Sequence, residues 1–219
     1  GANASGLLYY DGNDNSLNRM TKVEGLSDVD ISIICASEEK NLLVIAYENG
    51  NIDILKDGYV FNIPDIKRAN ILGSKTIHNI RLSGDYAYLS TGFGIVKFDL
   101  NEYLIRESYY FGAEGQYITT YDAVLTPEFL YAATESGIYR VSLDVNMADY
   151  TKWEAVPGLP YPNATYNAIE YFAGHLFTNL HIESLYNSDT MFVFDGNNWD
   201  YFSKESITSA KHLRTYNDT

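Results

Sequence analysis

Apolar and polar residues alternate along most of this chain in short runs, the period-two signature of β-strands. Three stretches show it plainly: LLVIAYENGNIDIL at 42–55, YAYLSTGFGIVKFDL at 86–100 and LYAATESGIYRVSL at 130–143. Each is an alternating run, a glycine-bearing turn and a second alternating run, which predicts a β-hairpin. The isoleucine opening the second run is Ile52, then Ile95, then Ile138, a recurrence of 43 residues. A supersecondary unit at constant spacing marks a repeat architecture.

Around the first hairpin, VDISIICASEEK and YVFNIPDI supply two further strands. One unit therefore holds strands Val29–Ala36, Leu42–Tyr47, Asn51–Leu55 and Tyr59–Ile63, with Asp57 and Gly58 at the last turn. The next unit repeats the order as TIHNIRLSG, YAYLSTG, GIVKFDL and YLIRESYYFG, and the third as TTYDAVLTP, FLYAATES, GIYRVSLD and KWEAVPG. The fourth reads YNAIEYFAG, HLFTNLH, TMFVFDG and NWDYFS, its middle turn swollen by IESLYNSD. Four short strands per repeat predict an all-β fold, a β-propeller of four-stranded antiparallel blades. The expected blades are 29–75, 76–116, 117–164 and 165–206.

The ends are partial. GLLYYDG at 6–12 matches a third strand, SLNRMTKVEG a fourth, and the tail SITSAKHLRTYNDT a first. Residues 1–28 and 207–219 read as pieces of a blade, so roughly five blades' worth is expected, four complete and one split between the termini. Either the termini close a five-bladed ring, which removes aggregation-prone edges, or the chain is a piece of a longer propeller. The start in mid-blade favours the piece.

Composition narrows the partners. The formal net charge is −14 and 46% of residues are hydrophobic. Such a field repels phosphate backbones and anionic headgroups, so nucleic acid is not an expected partner. No run is long and apolar enough for a membrane helix, and no membrane insertion of this segment is expected. The single cysteine, Cys35, forms no internal disulfide and reads as a small core residue. Twenty tyrosines suit strands wet on one side and buried on the other.

Catalytic and metal signatures are missing. DGNDNSLNRMTK resembles a calcium loop, but Ser16 replaces the required glycine and Lys22 the closing glutamate. His78, His175, His181 and His212 have no zinc-like spacing. There is no nucleophile elbow, P-loop or dinucleotide fingerprint, and no catalytic residue, metal or cofactor is expected.

In a propeller, the turns between second and third strands share one rim with the inter-blade loops. Here those loops include Glu48–Asn49, Gly92–Phe93, Glu135–Ser136, Ile182–Asp189, Asp65–Lys75, Gly112–Gln116 and Leu159–Thr165. Loops on a rigid scaffold carry most binding residues. Phe93 and Tyr186 are candidate contacts there, together with Lys67, Arg68 and Lys75, the one positive cluster on the expected rim. An anionic glycan or a partner carboxylate would suit that cluster.

The stretch GLSD, then LLVIAYENGNID, then IPDIKR with a following K-x-I-x-N-I, resembles the N-terminal β-propeller of PorZ-type proteins. The ending DGNNWDYF resembles the propellers of two-component sensor ectodomains. The first resemblance implies an exported protein, in the periplasm or on the surface of a Gram-negative bacterium, with two propellers and a small C-terminal β-domain. It implies membership of the attachment complex of type IX secretion, which hands anionic lipopolysaccharide to a sortase-like protease. The expected function is a non-catalytic binding or scaffold module in secretion or surface-glycan attachment. Its alternatives are an oligosaccharide-sensing periplasmic ectodomain and a carbohydrate-active enzyme. By the same likeness GLSD reads as a turn into an inner strand, and IPDIKR as an edge strand leading into the inter-blade loop.

Overall fold

A computed structural model describes residues 2–3, 6–182, 189–202, 210 and 212–215. The sheets follow chain order. The first holds β1 (Ala2–Asn3), β2 (Gly6–Asp11) and β3 (Ser16–Met20). The second holds β4 (Ile31–Ser37), β5 (Leu42–Tyr47), β6 (Ile52–Lys56) and β7 (Tyr59–Ile63), and the third β8 (Ile77–Ser83), β9 (Tyr86–Thr91), β10 (Gly94–Asp99) and β11 (Leu104–Tyr109). The fourth holds β12 (Thr120–Leu125), β13 (Phe129–Thr134), β14 (Gly137–Ser142) and β15 (Glu154–Ala155), and the fifth β16 (Tyr166–Phe172), β17 (His175–Leu180), β18 (Thr190–Phe194) and β19 (Trp199–Tyr201). All pairing is antiparallel between consecutive strands, the blade pattern of a β-propeller.

The chain divides into two compact units. One is Gly1–Thr91 with Lys97–Arg106, the other Gly92–Val96 with Glu107–Thr219. In the first, Leu7, Leu26, Ile45 and Tyr47 form a buried cluster; in the second, Tyr131, Ile138, Tyr166, Ile169, Phe192 and Phe194 belong to a larger one. The second strand of each repeat is buried on both faces, so β5, β9 and β13 read as nearly continuous apolar or small residues.

Every first strand carries the same irregularity. Register shifts between Ile31 and Ile33, Ile77 and Asn79, Thr120 and Asp122, and Tyr166 and Ala168. Ser32, His78, Tyr121 and Asn167 therefore stand outside the ladder, as bulge residues do. Gly94 shows why a glycine opens the third strand. Its φ is +137°, and a Cβ there would meet the Tyr109 carbonyl oxygen at 2.1 Å.

Three sequence expectations need correction. Asp65–Arg68, expected as the start of an inter-blade loop, is one turn of helix, α1. The strand expected in KWEAVPG shrinks to Glu154–Ala155, because Tyr150–Lys152 forms a 3₁₀ turn with Asp149 accepting from the Thr151 amide. The N-terminal partial blade has three strands, with Ala2–Asn3 pairing Gly6 and Leu7. The tail expected to form a first strand lies mostly outside the described residues, and positions 210 and 212–215 are in no strand.

Candidate partner-binding rim

The three motifs of the second sheet meet at one corner of the first unit. Asp28, of GLSD, is 8% exposed. Its Oδ2 accepts from Lys67 Nζ at 2.5 Å and from Asn49 Nδ2 at 2.7 Å, and its Oδ1 from the Val29 amide at 3.1 Å. Lys22 Nζ lies 4.0 Å away. Burial alone would push this carboxyl up, but the bonds from Lys67, Asn49 and Val29 outweigh it and hold it at about 2.

A second carboxylate continues the network inward. Asp53 is fully buried, and its Oδ2 accepts from the Ser27 amide at 2.8 Å and the Tyr47 hydroxyl at 2.7 Å. Asn62 Nδ2 bridges Asp53 Oδ1 at 2.9 Å and Asn51 Oδ1 at 3.0 Å. Burial, then the Asp53 bond, pushes the Tyr47 phenol up, so it stays protonated and donates. GLSD, ENGNID and IPDIKR thus interlock through one buried polar network, and satisfied networks of this kind fix a unique geometry.

This placement reassigns the expected basic cluster. Lys67 is neutralised by Asp28. Lys75 Nζ donates to the carbonyls of Lys67 at 2.8 Å and Ala69 at 2.7 Å, capping α1. Arg68 is exposed. The structure therefore brings the three together but engages two of them in holding the loop.

The equivalent corner of the next repeat lies in the second unit and is aromatic. Phe93 is 1% exposed, so its ring packs inward rather than facing a ligand. It lies 6.2 Å from Tyr110 and 6.1 Å from Tyr117, and those two rings are 5.2 Å apart, edge to face. Tyr117 is 43% exposed and presents the wet side of this cluster.

In the fifth sheet, Asp189 is buried. It accepts from Asn179 Nδ2 at 2.8 Å and the Ala210 amide at 3.1 Å, and its Oδ1 lies 3.0 Å from His181 Nδ1. Tyr186 lies outside the described residues. Among the described residues, no group of three His, Cys, Asp or Glu side chains is placed to hold a metal. Among the described residues, no helix is long and apolar enough to cross a membrane.

Sequence reasoning missed Asp28 and Asp53. Their partners Lys67 and Ser27 are 39 and 26 residues away, so no local pattern marks them. The available signal was an acidic residue within an otherwise apolar strand, IDIL, where a charge is costly unless paired.

Comparison with known proteins places this geometry. The family model for the type IX secretion PorZ N-terminal β-propeller domain matches residues 2–154. The solved structure of PorZ from Porphyromonas gingivalis superposes with a TM-score of 0.75 at 25% identity, covering 89% of this chain and 25% of that one. The chain thus spans a quarter of that relative's length. The extracellular domain of a hybrid two-component system from B. thetaiotaomicron superposes at 0.58 with 15% identity, over 96% of this chain and 32% of that one. That of a one-component system from the same organism superposes at 0.61 with 16% identity, over 93% and 26%. These two show a shared fold. No curated protein matches the chain.

Proposed function

This chain belongs to the family of PorZ N-terminal β-propeller domains, and from that premise we propose that it is a non-catalytic binding and scaffold module of an exported envelope protein. The proposed setting is type IX secretion, in the periplasm or at the cell surface, since the P. gingivalis relative is a surface component of that system. The observation that carries the reading is the corner formed by Asp28, Asp53, Asn49, Asn62 and Lys67. Within the family-matched residues, buried carboxylates fix the loops from inside. Arg68 is left exposed on a rigid support, the arrangement expected of a docking surface.

The partner is a protein presenting carboxylates to Arg68, with anionic lipopolysaccharide as the other ligand such a guanidinium suits. The test is co-purification of the tagged full-length protein from its own cell envelope, as wild type and as Arg68→Glu. Recovery of a surface-secretion protein or lipopolysaccharide by the wild type, and its loss in the variant, supports the reading. Recovery of neither, or equal recovery by both, overturns it.

A further inference from the structure

A cleft of about 270 Å³ opens beside β13, β14, β16 and β18, entirely within the second unit. The turns around it, Thr126–Glu128, Gly174 and Gly196, lie at the strand ends opposite the Glu135–Ser136 hairpin of the same unit. Apolar walls come from Phe129 and Tyr171, both half-buried, and from Phe194 beneath. The polar wall is Arg140, and exposed Glu128 stands at the edge.

Arg140 is held on several sides. Its Nε donates to Glu154 Oε1 at 2.7 Å, its guanidinium carbon lies 4.6 Å over the Phe129 ring, and Tyr131 stands opposite it across the strand pair. A five-donor planar fork keeps N–H groups beyond those bonds. The same stack recurs 43 residues earlier as Lys97 over Tyr86, at 4.4 Å. The stack is therefore part of the repeat. The open cleft beside it, with a second aromatic wall and an exposed carboxylate at its edge, is what makes a site.

We propose that this cleft binds one ring of a neutral saccharide. The negative face of an aromatic ring attracts the C–H edge of a sugar, and donors and acceptors beside it satisfy the hydroxyls. The volume falls just below the roughly 300–1,000 Å³ of drug-sized sites, which suits a single ring rather than an oligosaccharide. Local charge favours a neutral ligand: Glu154 already pairs with Arg140, and Glu128 adds a second carboxylate at the cleft edge. The inference does not depend on the partner reading above, which concerns Arg68 in the other unit.

The test is saturation-transfer NMR on the whole chain with the methyl glycosides of D-glucose, D-galactose and D-mannose, and with D-glucuronate as the anionic comparator. At least one neutral glycoside takes up saturation, more strongly than glucuronate. Tyr171→Leu weakens binding about threefold to tenfold, the worth of one aromatic contact. Glu128→Ala, at an exposed position that leaves the fold intact, weakens it about threefold to tenfold through one lost hydrogen-bond acceptor. No transfer from any neutral glycoside, glucuronate as the strongest ligand, or unchanged binding in Glu128→Ala would overturn the proposal, even if Tyr171→Leu fails to fold.

Discussion

The hairpins at Glu48–Gly50 and Gly92–Phe93 occupy the same place in successive repeats, yet they are secured by opposite chemistry. The first is tied by the Asp28 and Asp53 carboxylates, with Lys67 arriving from α1. The second is closed by Phe93 packing with Tyr110 and Tyr117. The repeat dictates where a turn meets the following loop, while each repeat chooses its own means of holding that meeting. A polar lock is directional and depends on charge; an aromatic lock depends on area and is indifferent to pH and to charge screening.

Substitutions separate the two. Phe93→Ala carries the largest expected effect, a loss of about 3–5 kcal/mol by chemical denaturation, unchanged by salt. Gly94→Ala costs about 3 kcal/mol, because its Cβ would meet a backbone carbonyl at a left-handed φ. Gly50→Ala is costly for the same reasons, since its φ is +81° and a Cβ there would meet the buried Ile66 side chain at 2.6 Å and the Lys75 carbonyl oxygen at 3.1 Å. Asp28→Asn costs about 1–3 kcal/mol by weakening a buried acceptor of several bonds.

The Asp28 loss has a pH signature. Its carboxyl is depressed to about 2 in the fold, against about 4 when unfolded. Such a group stabilises the fold above the unfolded value, and that contribution disappears as pH falls from about 4 to about 2. Asp28→Asn therefore flattens the acid limb of a stability profile, and Phe93→Ala leaves its shape unchanged. Lys67→Met costs under about 1 kcal/mol, shrinking with salt, because the lysine is 42% exposed. Arg68→Glu leaves stability within about 0.5 kcal/mol of wild type, since its side chain is exposed.

The contrast also explains what was legible in the chain. Strand β5 was predicted at Leu42–Tyr47 and β7 at Tyr59–Ile63, and both stand there, because alternation and turn glycines are local signals. The helical turn at Asp65–Arg68 was not, because it depends on Lys75 reaching back to its carbonyls. Phe93 sits in a turn by sequence, but its inward packing needs Tyr110 and Tyr117 from another strand and loop. Lys67 looked like a free cation until Asp28 was placed beside it. Long-range pairing of this kind leaves no periodic trace, so the frame was readable and the corner chemistry was not.

The decisive measurement is amide hydrogen exchange between pH 5 and pH 2, corrected for intrinsic rates, comparing residues 27–30 and 48–51 with residues 92–95 and 109–117. Loss of protection at the first pair of segments on acidification, with the second pair unchanged, is the predicted result. Equal loss in both, or no loss in either, would contradict a corner held by the ionised Asp28.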